Sequence, residues 1–314
     1  MKTYRLKIRP QSSFLTPWQA DTIFGNICWI IALQEGVDAL QNFLQHYKEN
    51  DPLFVLSDGL PGDLFPAPVH LSLAASKVES LDDYREAKKL KRISWVTPDT
   101  FESIRNGNLN NHIEGGLQTY TTFTTLHSTV NRMTGTTGDE GSLFELEEYT
   151  FHTETQESDT ISIYLKIKSG YEAKVLAFFE DLAKTGYGKK KSVGKGAFDI
   201  EGQLEPFDKF DNFDGANGFV SFSNFIPSKT DPVNGFYKTF VKYGKLGGEY
   251  TFCGNPFKKP LMMLTTGSTF HVNGDINQFY GRMIENVSPA KPEVVHYGYA
   301  FAVPIKLNSR IEAI

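Results

Sequence analysis

Residues 161–202 read ISIYLKIKSGYEAKVLAFFEDLAKTGYGKKKSVGKGAFDIEG, and their periodicity changes along the way. Ile161, Ile163, Leu165 and Ile167 repeat every second residue, the period of a strand. After Gly170 the apolar residues Val175, Phe178, Phe179 and Leu182 fall on one helical face, which predicts a helix over 171–184. A stretch of glycine and lysine follows. Ala197-Phe198-Asp199-Ile200 then reads as a second strand.

The N-terminal segment repeats this order. Tyr4, Leu6 and Ile8 alternate with Arg5, Lys7 and Arg9, a strand with one apolar and one basic face. A loop through Ser12, Ser13, Thr16 and Pro17 leads to a helix near Asp21, with Asp21-Thr22 read as its N-cap. Ile23, Phe24, Ile27, Cys28 and Ile31 carry its apolar face, and Val37, Leu40, Leu44 and Tyr47 a second, shorter one. Leu53–Leu56 is a short buried strand. The sum is a βαββαβ unit over residues 1–203, opened by an insertion around 58–158. Within the insertion, 81–92 reads as a basic helix. Residues 97–142, rich in Thr, Asn and Gly, read as long loops or a projecting hairpin.

A Gly- and Asp-bearing linker over 204–218 opens the second half, 204–314. There, Phe219–Phe225, Leu261–Thr266 and His296–Leu307 are expected strands, and Gly235–Tyr243 the one expected helix. The fold class expected is α+β in two domains.

Composition narrows the function classes. The chain has 314 residues, 40 % hydrophobic, with 32 basic against 37 acidic residues, a net charge of −5. A uniformly basic nucleic-acid coat is excluded, whereas a local basic groove is not. Two cysteines, Cys28 and Cys253, build neither a disulfide framework nor a four-ligand zinc site. The N-terminus has no continuous apolar core of a signal peptide, and Gly25 and Asn26 break the longest apolar run, so a cytoplasmic location without a membrane anchor is expected. No histidine pair has HExxH spacing, and GxSxG and CxxC are absent. The expectation is therefore no catalytic residue, no metal and no cofactor.

Three segments have the chemistry of polyanion binding. The first interleaves Gly186, Gly188, Gly194 and Gly196 with Lys189, Lys190, Lys191, Ser192 and Lys195. Glycines let a phosphate backbone approach main-chain amides, while lysines supply charge and the serine a donor. The loop follows a helix and so sits at its negative end, which leaves amides and lysines to make any anion site. It matches neither a Walker loop nor GxGxxG. Composition alone leaves a solvated basic turn as the other reading. The second segment holds His127, Asn131, Arg132 and Thr134, residues suited to phosphate contact or base stacking, or to a solvated polar loop. The third sets Lys242, Lys258 and Lys259 beside aromatic residues, a pattern of single-stranded RNA binding and equally of lysines flanking buried strands. One further reading makes His127 the acid or base of a metal-independent endoribonuclease processing repeat RNA. Another makes the chain a protein-only scaffold whose lysines are merely solvated.

TPWQADTIFGNICW (16–29), NRMTGTTGDEGSLF (131–144), TGYGKKKSVGKGAF (185–198), KYGKLGG (242–248) and NPFKKPLMMLTTGSTF (255–270) together resemble the RAMP superfamily of CRISPR-associated proteins. Within it they are similar to the subunits of type III-A (Csm) effector complexes that cap the 5′ end of the CRISPR RNA. The resemblance implies two ferredoxin-like (RRM-like) domains and a hairpin thumb within 97–130, close to target RNA. It also implies binding of the CRISPR RNA 5′ handle, and docking between the large polymerase-like Cas subunit and the first backbone RAMP subunit. In that family this subunit is not the nuclease.

Overall fold

The computed structural model describes residues 1–72, 84, 85, 88, 90, 92–108, 120–137, 143–150, 159–211 and 213–307. The first half runs β1 (Lys2–Pro10), α1 (Ala20–Gln34), α2 (Val37–Lys48), β2 (Phe54–Leu56), β3 (Leu60–Pro61), β4 (Phe65–Pro66), β5 (Trp95–Val96), α3 (Pro98–Arg105), β6 (Thr121–Ser128), β7 (Leu143–Thr150), β8 (Ile161–Ile167), α4 (Glu172–Thr185) and β9 (Phe198–Pro206). The second runs β10 (Gly218–Ser221), β11 (Gly235–Phe236), β12 (Thr239–Lys242), β13 (Leu261–Leu264), β14 (Thr269–His271), β15 (Phe279–Ile284) and β16 (His296–Ile305). The fold is α+β, built on antiparallel sheets.

The first sheet has the order β2-β8-β1-β9. Leu6 and Ile8 of β1 are buried on one face. Val175, Phe178, Phe179 and Leu182 of α4 are buried too, each contributing about 1.5–3 kcal/mol. β8 is buried along its whole length, because the second half covers the sheet's other face. There Tyr164 meets Phe207, Phe210 and Phe301. Lys166 donates to the carbonyls of Gln278 at 2.7 Å and Ala302 at 2.6 Å.

The second sheet has the order β11-β14-β10-β16-β15. One core joins the halves, since Phe222, Tyr297, Tyr299, Phe301 and Val303 cluster with Phe24, Phe43, Tyr47 and Phe54. The Tyr299 hydroxyl donates to Tyr47 O at 2.5 Å, and Leu56 N–H donates to the Tyr297 hydroxyl at 3.0 Å.

Several expectations need correction. Gly235–Tyr243 is not a helix but two strands in different sheets, β11 pairing with β14 and β12 with β13, with Phe236 and Phe240 half-buried and Tyr237 and Val241 exposed. Residues 98–105, expected irregular, form α3. Thr97 caps it, Pro98 sits in its first turn, and only Phe101, Ile104 and Arg105 are buried, too short a stripe to read as a period. The stretch 204–218 is no free linker. β9 continues to Pro206, and Phe210 is buried against Phe65 and Phe101. β6 and β7 form a hairpin that begins within the stretch expected to project and runs on past 142 to Thr150, while residues 109–119 of the expected thumb lie outside the described residues. The cap of α1 is Gln19 rather than Asp21, and the Ala20 N–H donates to Asp58 across the chain at 2.8 Å. Of the expected helix over 81–92, Arg85 and Lys88 are helical, while Lys89 and Lys91 lie outside the described residues.

Candidate nucleic-acid interface

α4 ends at Thr185 and the chain turns through Gly186 at φ +76°. Tyr187 then buries its ring on Trp18, with centroids 3.8 Å apart, and its hydroxyl donates to Pro17 O at 2.7 Å. This stacked pair is the pedestal of the glycine-rich loop. Gly188 faces Thr16, whose Oγ1 accepts the Lys189 N–H at 3.0 Å. At the far end Gly196 N–H donates to Ser13 O and Tyr187 N–H to Gly196 O, both at 2.9 Å. Gly196 is structural, because a Cβ there would overlap the Tyr187 carbonyl.

Between these anchors Lys189, Lys190, Lys191, Ser192 and Gly194 are exposed. Lys190 takes the left-handed conformation at φ +61°, followed by one turn of 3-10 helix over Lys191–Val193. The later amides of the loop are satisfied within it, Val193 N–H and Lys195 N–H by Lys190 O and Gly194 N–H by Lys191 O. The N–H groups of Lys190, Lys191 and Ser192 have no acceptor among the described residues. Successive unpaired amides in such a turn form an anion-binding concavity.

Lys195 is spent differently. Its Nζ bonds Glu148 Oε2 at 2.6 Å and Ser13 Oγ at 2.9 Å. Glu148, on β7, also accepts from Ser13 Oγ at 2.5 Å and from Thr125 Oγ1 of β6 at 2.9 Å. Burial raises the Glu148 pKa, but these donors and the Lys195 charge outweigh it and hold the carboxyl at about 2. The loop is thereby tied to the base of the β6–β7 hairpin. Lys190 Nζ lies 5.7 Å from the Phe144 ring, and Phe144 stacks on His127 at 5.6 Å. His127 Nε2 and Thr125 Oγ1 are 3.0 Å apart.

Asn131, Arg132 and Thr134 are exposed at the outer end of the hairpin. The Asn131 side chain accepts the Met133 N–H at 2.9 Å and shapes the turn. The third segment divides. Lys242 points inward to an ion pair with Asp21 and bonds Gln19 Oε1 at 2.7 Å. Lys258 also points inward, to Val295 O at 3.1 Å, where burial lowers its pKa. Lys259 is exposed. Lys242 and Lys258 are thus structural cations, because Asp21 and a carbonyl inside the fold already hold them.

The basic face of β1 is also neutralised. Arg5 pairs with Asp63 and Glu205, Lys7 with Asp63, and Arg9 with Glu201. Ser13, Thr16 and Glu148 are residues of this arrangement that sequence reasoning missed, whereas Phe144 closes the 131–144 motif. The polar character of 11–16 hints at Ser13 and Thr16, and nothing local marks Glu148.

No family model matches the chain, and no curated protein does. Solved structures do. A chain of the Csm1-Csm4 cassette in complex with pppApA aligns with a TM-score of 0.63 at 19 % identity, over 98 % of this chain and 100 % of that chain. A chain of the Csm3-Csm4 subcomplex in the type III-A CRISPR-Cas interference complex aligns at 0.64 and 15 % identity, over 98 % and 100 %. Csm4 is the subunit that the two structures have in common. Over nearly its whole length, then, this chain is built like a chain of two complexes that contain Csm4, one of them from a type III-A CRISPR-Cas interference complex, and the resemblance carried by its motifs extends to its fold.

Proposed function

We propose that the chain is a non-catalytic, RNA-binding RAMP subunit of a type III-A CRISPR effector complex, acting in the cytoplasm in antiviral defence. It anchors the 5′ handle of the CRISPR RNA and docks the large polymerase-like subunit onto the backbone subunit. Its two halves are ferredoxin-like, the second degenerate. The strand order of the first sheet supports this for the first half, while the second has no α-helix among its described residues.

The observation that carries the proposal is the exposed turn Lys189–Ser192, with three lysines and three amides that have no acceptor among the described residues, on the stacked Trp18–Tyr187 pair. Phosphates there set the register of a strand, and splayed bases are read by stacking and edge contacts. The projecting β6–β7 hairpin starts beside that turn, where guide–target pairing would begin.

The test replaces Lys189, Lys190 and Lys191 by Ala and measures guide-RNA binding against salt. Affinity should fall and the log–log slope flatten by roughly 0.7 per lost single-strand contact. An unchanged slope refutes the cradle. Incubation with repeat RNA tests the absence of catalysis, with no site-specific cut expected. A cut abolished by His127→Ala would establish an endoribonuclease instead.

A further inference from the structure

The inward turn of Lys242 and Lys258 has an outward counterpart. Residues 239–246 run antiparallel to 256–264, through the β12–β13 pairing and a bridge between Lys245 and Phe257. Because side chains alternate, the residues next to the buried lysines face solvent. Tyr243 is 75 % exposed and Phe257 58 % exposed. Lys245 and Lys259 are exposed beside them, and Lys245 Nζ lies 5.8 Å from the Phe257 ring. Val241 and Met262, directly opposite each other, extend the same outer face.

Charge decides what such a face takes. With Lys242 and Lys258 turned inward, the cations this face presents are Lys245 and Lys259, and no acidic side chain stands among Val241, Tyr243, Lys245, Phe257, Lys259 and Met262, in a chain whose net charge is −5. Position agrees. From the glycine-rich loop, Lys189 N–H reaches Thr16, Tyr187 reaches Pro17, and Gln19 reaches Lys242, the residue before Tyr243. The segment 16–19 thus anchors both the glycine-rich loop and the inner side of the ribbon, so the two elements share one support. Exposed rings with flanking lysines are the elements of a single-strand platform.

We infer that this ribbon is a second platform for single-stranded RNA, on which Tyr243 and Phe257 stack bases while Lys245 and Lys259 hold phosphates. The inference rests on the RNA-binding reading above and extends its path into the second half of the chain.

The experiment titrates the purified full chain into a fluorescein-labelled single-stranded RNA of about twelve nucleotides, at several salt concentrations. Tyr243→Ala with Phe257→Ala should weaken binding about tenfold or more with an unchanged salt slope, as expected for lost stacking. Lys245→Ala with Lys259→Ala should flatten the slope by roughly 0.7 per lysine. All four side chains are exposed, so the melting temperature should hold, and the lysine pair decides should the ring pair misfold. The K189A/K190A/K191A variant separates the two claims. Binding that falls for that variant and is untouched by both ribbon pairs overturns the platform alone and leaves a protein-docking face. Binding indifferent to all three variants overturns the loop reading as well.

Discussion

Lys195 and Glu148 form an ion pair of 2.6 Å between a loop and a hairpin that lie 47 residues apart in the chain. The carboxylate is 1 % exposed and is held by Lys195, Ser13 and Thr125 together. It makes the glycine-rich loop and the base of the hairpin one rigid body.

Lys195→Met should cost about 2 kcal/mol, since Glu148 keeps two hydroxyl donors and loses its counter-charge. The Glu148 pKa is lowered to about 2 from an ordinary 4.5. Between those values the unfolded chain binds the extra proton, so the pair's contribution is complete above about 4.5 and is lost as pH falls towards 2. Denaturant midpoints of the wild type and the variant should therefore differ at neutral pH and converge in acid. A constant difference would remove Glu148 from the explanation.

Gly194 and Gly196 should separate. Both have positive φ, +83° and +69°. Gly194→Ala meets nothing within 4 Å and should cost about 1–2 kcal/mol through backbone strain alone. Gly196→Ala drives a methyl into the Tyr187 carbonyl and should lower the melting temperature much further. Equal melting temperatures for the two variants would contradict this geometry.

Arg105 joins three parts of the chain. Its Nε donates to Pro304 O at 2.9 Å, its Nη1 to Lys209 O at 2.5 Å, and its guanidinium lies over Phe213 at 4.5 Å. Lysine cannot reach two carbonyls in this forked geometry, so Arg105→Lys should destabilise by about 2 kcal/mol despite keeping the charge. A midpoint matching the wild type would show that charge alone suffices.

Lys166 gives stability an alkaline dependence. Burial lowers its pKa to about 7 from an ordinary 10.5. Between those values the unfolded chain holds more protons, so stability rises with pH across that window. The burial cost is present in full below about 7. Lys166→Met should flatten this rise, measured as urea midpoints through the window. A slope identical in both proteins would place its origin elsewhere.

The strands and helices with a regular apolar period were legible in the sequence. β1, β8, α1 and α4 form where Leu6 and Ile8, Ile161 to Ile167, Ile23 to Ile31 and Val175 to Leu182 predict them, within one or two residues. α3 was not, because its buried face is three residues long and one of them is an arginine. The strands β11 and β12 are not legible either, since Phe236, Tyr237, Phe240 and Val241, at helical spacing, belong to a segment that passes from one sheet to another.

At the candidate site, composition picked out the glycine–lysine loop but not which cations remain available. Lys189, Lys190 and Lys191 look outward, whereas Lys195, Lys242 and Lys258 look the same in sequence and are occupied by Glu148, Asp21 and the Val295 carbonyl.

The sequence by itself determined the local elements and the identity of the glycine-rich, positively charged turn, because backbone preference and apolar period act over a few neighbouring residues. Tertiary structure alone decided which charges are free. A lysine's partner is chosen by what the fold carries to within about 3 Å of it, and across separations such as the 223 residues between Gln19 and Lys242 no local pattern records that choice.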